Sequence, residues 1–408
     1  MTTDFAVITA TGKDKPGLIA EITGAIARAK ANIVDIEAFS MRGLFAIFMI
    51  VDCRAAVIPV EALKDELASI GSRIGLELTM EPYVAGRLKG EKRLALLTTI
   101  GKDKPGIVAR VSRFLSERKA NIERIRMIAS GELNVMEISA DLSDVPSNLE
   151  TFRSGLEDAC GEVGQDVVVQ TEDVFQRPKR LIVFDVDSTL IDVEVIDELA
   201  KAAGVGEKVR EVTRKAMSGE MDFKEALRER ARLLEGLRVE VLEAIAENLE
   251  ITPGAEELIR TLKALGFKIA LVSGGFKYFV DKIREKLGID YAHANNLVIR
   301  EGRLTGEVEE PIIDDKRKGE IIRQLARREN LLLEEIVAVG DGANDRFMLQ
   351  SSGLGIALNP KDILKKVADG VITKENLTGI LYCLGAPEKR LREVFSKSSG
   401  RRHRKRTG

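Results

Sequence analysis

The sequence predicts an α/β protein: a Rossmann-like core of parallel strands with a helical cap, preceded by two ferredoxin-like βαββαβ units. Three observations carry that expectation. Gly12-Lys13-Asp14-Lys15-Pro16-Gly17 returns unchanged as Gly101-Lys102-Asp103-Lys104-Pro105-Gly106. Past residue 180 the pattern changes to short apolar runs (LIVFD, KIALVS, IVAVGD), each followed by a helical segment, the signature of a parallel sheet. Between the first two of these runs lies a charged helical stretch, about 194–250, long enough to fold over strand ends as a cap.

The repeat has a fixed period. Pro16 and Pro105 are 89 residues apart, and so are the Ala31-Asn32-Ile33 and Ala120-Asn121-Ile122 segments. Each copy reads as an apolar strand (FAVITAT; LALLTTI), a Pro-Gly turn opening an amphipathic helix, and β-rich runs such as LFAIFMIVDC and LNVMEISADL. A second helix and a closing strand follow (LELTM; DVVVQ). The first copy spans about 1–86 and the second about 90–175, and polar Gln176–Arg180 reads as the linker to the core at about 180–390. Within the core, Thr252-Pro253-Gly254 restarts the chain after the cap, with Thr252 as N-cap, and NNLVIREGRLTGEV reads as a hairpin turning at Glu301-Gly302.

Charge and composition narrow the function. The 408 residues carry 63 Lys+Arg against 65 Asp+Glu, so no net field favours nucleic acid or an acidic membrane. The start lacks a basic region followed by an apolar one, and no apolar run reaches the ~18 residues of a membrane span. Cys53, Cys160 and Cys383 form neither a disulfide framework nor a zinc cluster, which points to a reducing cytoplasm. His293 and His403 are the only histidines, and the second lies in the basic tail, 391–408, expected to be disordered. Histidine-pair phosphatase chemistry is excluded. Cysteine-based phosphatase chemistry, which places an Arg at the sixth position after its Cys, fails because those positions hold Pro59, Asp166 and Lys389.

Four features at strand ends fit one phosphoryl-transfer site. Asp185-Val186-Asp187-Ser188-Thr189 ends the first core strand with two carboxylates that repel unless a cation or proton lies between them. Ser273-Gly274-Gly275 offers a hydroxyl and open backbone N–H groups before a helix. Lys318 supplies a compact cation for a phosphoryl oxygen. Gly340-Asp341-Gly342-Ala343-Asn344-Asp345 adds carboxylates suited to the all-oxygen ligation of magnesium.

This ordered set resembles the haloacid dehalogenase superfamily over about 180–385. The resemblance implies Asp185 as nucleophile forming an aspartyl-phosphate and Asp187 as proton donor and later base. It implies Ser273, Gly274, Lys318 and Asn344 as phosphoryl ligands. Mg2+ would be held by Asp185, Asp341 and the Asp187 carbonyl, with Asp345 behind them. In the cap, Glu194, Met217, Phe223 and Arg230 resemble, in order and spacing, the branch of that superfamily acting on O-phospho-L-serine. Glu194 would then take the ammonium and Arg230 the carboxylate, with Met217 and Phe223 shielding the site; taken singly, Met217 and Phe223 read rather as cap core and Glu194 and Arg230 as solvated helix charges.

The repeated units resemble ACT domains, amino-acid-sensing modules that pair side by side. The matching ligand positions are Asp14, Gly17 and Asn32, with copies Asp103, Gly106 and Asn121; the alternative is that Pro-Gly merely starts a helix and Asn ends one. The first copy is trimmed around Met41-Arg42-Gly43. The expectation is thus an Mg2+-dependent hydrolase of O-phospho-L-serine at the last step of serine synthesis, cytoplasmic and homodimeric, with serine as effector and no nucleic-acid or membrane partner. Two rivals stay open: a related hydrolase or transferase using phosphothreonine or homoserine phosphate, and a non-catalytic amino-acid sensor.

Overall fold

The computed structural model describes residues 4–83, 92–130, 133–360 and 362–385, which leaves the basic tail and the junction between the repeats outside the described residues. The chain divides into two compact units near residue 91.

The first unit runs β1 (Phe5–Lys13), α1 (Leu18–Arg28), β2 (Asn32–Met41), β3 (Leu44–Asp52), α2 (Val60–Ile74) and β4 (Leu76–Pro82). Its sheet has the order β2-β3-β1-β4, with β3 and β4 antiparallel to β1. Leu18, Ile22, Ala25 and Ile26 repeat at helical spacing and pack one face of α1 onto the alternate residues Ala6, Ile8 and Ala10 of β1. Gly17 caps α1 from the left-handed region (φ 95°), where a side chain would be strained.

The second unit opens with the other copy: β5 (Leu94–Gly101), α3 (Ile107–Glu117), β6 (Asn121–Ala129), β7 (Asn134–Asp141), α4 (Leu149–Gly161) and β8 (Gln165–Thr171). A short helix, α5 (Glu172–Phe175), leads to β9 (Leu181–Phe184). The cap follows as α6 (Val195–Ala202), α7 (Gly206–Met217), α8 (Phe223–Arg232) and α9 (Val239–Glu247). Then come α10 (Ala255–Ala264), β10 (Lys268–Phe276), α11 (Lys277–Leu287), β11 (Tyr291–Asn295), the hairpin β12 (Leu297–Arg300) and β13 (Arg303–Val308), and α12 (Asp315–Glu329). The chain continues as β14 (Ile336–Gly340), α13 (Arg346–Gln350), β15 (Leu354–Leu358), α14 (Asp362–Lys365), β16 (Gly370–Ile372) and α15 (Ile380–Cys383). Glu301 and Gly302, both at positive φ, make the tight hairpin turn.

All strands of this unit except the hairpin join one ten-stranded sheet, β11-β10-β9-β14-β15-β16-β8-β5-β7-β6. Its first six strands are parallel, and the order reverses between β9 and β14, so their carboxyl ends flank the crevice where such sheets bind ligands. The last four belong to the repeat, joined by antiparallel pairing of β16 with β8.

The polar stretch read as a linker is therefore not a spacer between independent sheets. Lys179 within it is buried and donates to the carbonyls of Val174 and Arg177. Across the seam Arg153 pairs with Asp369 at 2.5 Å, Thr373 donates to Asp166, and Ile100, Val135 and Val168 share one apolar core with Ile182 and Phe184. Gly370 permits the approach, since a Cβ there would lie 2.5 Å from Val168 Cα. No helix among the described residues is long and apolar enough to cross a membrane.

Candidate active site

The four sequence motifs meet at the carboxyl ends of β9, β10 and β14. β9 is a fully buried apolar run that ends where Asp185 N donates to Val339 O at 2.9 Å, fixing the first carboxylate beside β14. Ser188 then takes a left-handed conformation (φ 57°) that turns the chain back, and its hydroxyl donates to Glu194 at 2.9 Å. Thr189 donates to Asp341 Oδ1 at 3.0 Å, tying the β9 loop to the β14 loop.

Thr252 is not the helix cap expected from sequence. Gly254 (φ 88°) caps α10, while Thr252 Oγ1 donates to Thr189 O at 2.9 Å and braces the same loop.

Lys318 comes from α12, whose N-cap Asp314 accepts from Arg317 N. It is fully buried, with Nζ 2.9 Å from Asp185 Oδ1 and 2.7 Å from Asp345 Oδ1. The second oxygen of Asp345 accepts from the N–H groups of Asp341 and Gly342, both at 3.1 Å. Oxygens of Asp185, Asp341 and Asp345 lie within 4.8 Å of one another. Three carboxylates thus face one lysine.

The electrostatics register that imbalance. Burial, then Asp345 and Asp341, push the Asp185 carboxyl well above the ordinary range against the pull of Lys318. Burial and Asp345 raise Asp341 to about 6. Burial depresses Lys318, but Asp185 and Asp345 outweigh it and leave the ammonium strongly favoured. A buried excess of negative charge, three carboxylates against one ammonium, in an all-oxygen donor set fits a hard divalent cation.

Asp187 accepts from Val195 N at 3.2 Å, and burial followed by the nearby Glu194 raises it to about 7, so its acid and carboxylate forms are both populated near neutrality. Gly275 lies against it: a Cβ there would sit 2.3 Å from Asp187 Oδ2. Ser273 is buried and accepts from Gly275 N at 2.8 Å. A Cβ on Gly274 would meet Phe223 Cζ at 3.0 Å and Asn344 Nδ2 at 3.8 Å, which brings cap, second motif and fourth motif together. Asn295, which the motifs did not flag, is buried; it donates to Gly274 O at 2.8 Å and accepts from Ile313 N at 2.6 Å.

In the cap, burial lowers the Arg230 pKa, opposed by Glu194, Asp197 and Asp187, so the guanidinium faces the same acidic end of the site. Phe223 opens α8, half-buried. Met217 does not join them: it ends α7 with 67% of its surface exposed, which also rules out the cap-core reading.

The expected ligand residues of the repeats divide. Asp14 accepts from Ser40 Oγ at 2.6 Å and Asp103 from Asn134 Nδ2 at 3.1 Å, each just ahead of the glycine that caps the first helix. Asn32 and Asn121 instead begin β2 and β6. Asn32 stands opposite Asp52, which pairs with Phe5 at the start of β1; Asn121 stands opposite Asp141, which pairs with Leu94 at the start of β5. The helix has carried the chain back along the sheet, so within one copy each Asn lies at the far end from its Asp and Gly and shares no site with them. Nor do these Asn residues end a helix. Cys160 and Cys383 are buried with thiols pushed up by burial, Cys160 to about 12, which agrees with excluding thiolate chemistry.

Fold and site together define a haloacid dehalogenase-like hydrolase, whose family model matches residues 179–353, carrying ACT domains matched at 4–81 and 95–154. The chain is 45% identical over 351 residues to a phosphoserine phosphatase of Archaeoglobus fulgidus, covering 86% of this chain and all of that protein. A phosphoserine phosphatase of Mycobacterium tuberculosis is 35% identical, with 93% and 92% covered. The unliganded crystal structure of a probable phosphoserine phosphatase from Vibrio cholerae superposes with TM-score 0.59 at 34% identity, covering 73% of this chain and 88% of that one. The chain belongs to the phosphoserine phosphatase family.

Proposed function

We propose that this protein hydrolyses O-phospho-L-serine to L-serine and phosphate through an aspartyl-phosphate on Asp185, with residues 179–385 as the catalytic part and the two repeats as amino-acid-responsive regulators. The observation that carries the chemistry is the buried set of Asp185, Asp341 and Asp345 around Lys318.

Asp185 attacks phosphorus in line with the serine oxygen, and the bond to that oxygen breaks as the aspartyl-phosphate forms. Asp187, in the acid form that its raised pKa keeps populated near neutrality, donates its proton to the departing oxygen. The same carboxylate then takes a proton from the water that releases phosphate and restores Asp185. Lys318, the Ser273 hydroxyl, the Gly274 N–H and Asn344 hold the phosphoryl oxygens. The fixed ammonium of Lys318 stabilises their charge without reorganising during the step. Asp185, Asp341 and the Asp187 carbonyl would hold Mg2+, oriented by Asp345; when bound, the ion neutralises charge gathering on the transferred group.

Glu194 and Arg230 present one anion and one cation to the ammonium and carboxylate of the substrate, since either charge buried without a partner costs several kcal/mol. Phe223, beside Gly274, shields the site. At the repeats, Asp14 with Gly17 and Asp103 with Gly106 remain the effector positions, and serine, the end product, is the effector. The protein acts in the cytoplasm as a homodimer at the last step of serine synthesis.

The test is phosphate release from O-phospho-L-serine, O-phospho-L-threonine and p-nitrophenyl phosphate, with Mg2+ or with EDTA. Mg2+-dependent release, fastest from phosphoserine, is expected. Equal rates on all three would contradict the roles of Glu194 and Arg230, and no release at all would remove the enzyme reading.

A further inference from the structure

The loop that carries Ser273, Gly274 and Gly275 leaves the sheet to reach the active site. β10 and β11 run in parallel register as far as Val272 and His293, and the next matched pair is Phe276 with Asn295. Three residues of β10 thus stand against the single Ala294 of β11, and the loop bulges out of the ladder. Backbone groups that lose their ladder partners inside a protein need others.

The Asn295 side chain supplies one of them. Its Nδ2 donates to Gly274 O at 2.8 Å, while the N–H of the same peptide unit, that of Gly275, donates to Ser273 Oγ at 2.8 Å. That peptide is held from both sides. Because Ser273 Oγ accepts from Gly275, its hydroxyl hydrogen remains to donate to a phosphoryl oxygen.

The same amide also meets Ile313. Asn295 Oδ1 accepts from Ile313 N at 2.6 Å, and Nδ2 lies 3.4 Å from Ile313 O. Ile313 immediately precedes Asp314, the N-cap of α12, whose carbonyl accepts from Lys318 N at 3.0 Å. The orientation of the amide is determined, since Ile313 N can only donate and Gly274 O can only accept. Asn295 is 2% exposed, so solvent does not compete for these bonds.

We propose that Asn295 is a positioning residue for phosphoryl transfer. Its one side chain sets the spacing between the loop bearing Ser273 and Gly274 and the helix bearing Lys318, which grip the phosphoryl oxygens from different elements. The inference rests on the phosphatase reading above. Two carbonyls and one N–H call for two donors and one acceptor, which a carboxamide presents at this reach. A carboxylate of the same shape keeps the acceptor for Ile313 N but turns a second acceptor on Gly274 O, and that repulsion moves the loop away from α12. Glu194 and Arg230 are not joined to this amide, so recognition of the substrate's ammonium and carboxylate does not pass through it.

The experiment is steady-state hydrolysis of O-phospho-L-serine by full-length Asn295→Asp, at a temperature well below its melting point. Misplacing reacting groups by about 1 Å costs about a hundredfold in rate, so kcat should fall about a hundredfold with KM within about threefold of the parent. Asn295→Ser, which keeps a hydroxyl donor and leaves room for a water, should lose less, about tenfold in kcat. It decides the matter by the same split if Asn295→Asp does not fold. A parental kcat in either folded variant, or a rise in KM with kcat unchanged, would overturn the proposal. So would failure of both variants to fold, because the amide would then serve the fold alone. No phosphate release from the parent would remove the phosphatase reading and this inference with it.

Discussion

Two strand ends in the same ten-stranded sheet bury polar groups beside a glycine beneath a loop, and they differ in charge. At the ends of β9 and β14 the buried groups are Asp185, Asp341, Asp345 and Lys318. At the end of β5 they are the neutral Thr99, Asn134 and Gln165. Buried charges in excess demand a compensating ion and polarise whatever enters, which suits making and breaking a phosphoryl bond. Neutral acceptors lacking donors demand only hydrogen bonds. The contrast sets a charged strand end that needs a counter-ion against a neutral one that does not, within one continuous sheet.

The largest effect should fall on the charged end. Asp185→Asn preserves shape but removes the nucleophile, so phosphate release should drop by at least about a thousandfold. If it does not, Asp185 is not the attacking group. Lys318→Met strips the buried cation from between Asp185 and Asp345; urea denaturation at neutral pH should show a loss of about 3–5 kcal/mol along with the loss of activity. Unchanged stability would mean that the two carboxylates do not depend on that lysine.

Gly275→Ala probes geometry alone. Its Cβ would press on Asp187 Oδ2 at 2.3 Å, so kcat should fall by about a hundredfold with KM little changed. A wild-type kcat would show that Asp187 has room to move without cost.

The smallest effect lies in the repeat. Burial pushes Glu157 of α4 up from 4.5 to about 7, so the folded chain keeps a proton that the unfolded chain loses. That contribution is fully present below 4.5 and is lost as pH rises through about 7. Glu157→Gln should therefore match the parent in thermal stability at about pH 4 and exceed it at about pH 8. Parallel curves would show that Glu157 is ionised in the fold.

The charged end was legible in the sequence because its chemistry needs fixed residue types at strand ends. Motif and order singled out Asp185, Asp187, Ser273, Lys318 and Asp341, and the fold brings them to one crevice. Asn295 and Thr252 were not, since a lone Asn and a Thr before Pro-Gly signal local turns while their contacts are with Gly274 and Thr189, distant in the chain. The seam was hidden for a related reason: β16 is only three residues long, and nothing in Gly370–Ile372 names β8 as its neighbour. In the repeats, the period established which residues correspond but not where they lie. It grouped Asn32 and Asn121 with glycines at the other end of the sheet.

If Asp185 carries the phosphoryl group, quenching the enzyme in acid during turnover of O-phospho-L-serine and mapping the mass of its peptides captures the intermediate. One added phosphoryl group is expected on the peptide bearing Asp185, released by hydroxylamine and missing in Asp185→Asn. Turnover with no phosphorylated peptide, or with the phosphoryl group on another residue, would contradict it.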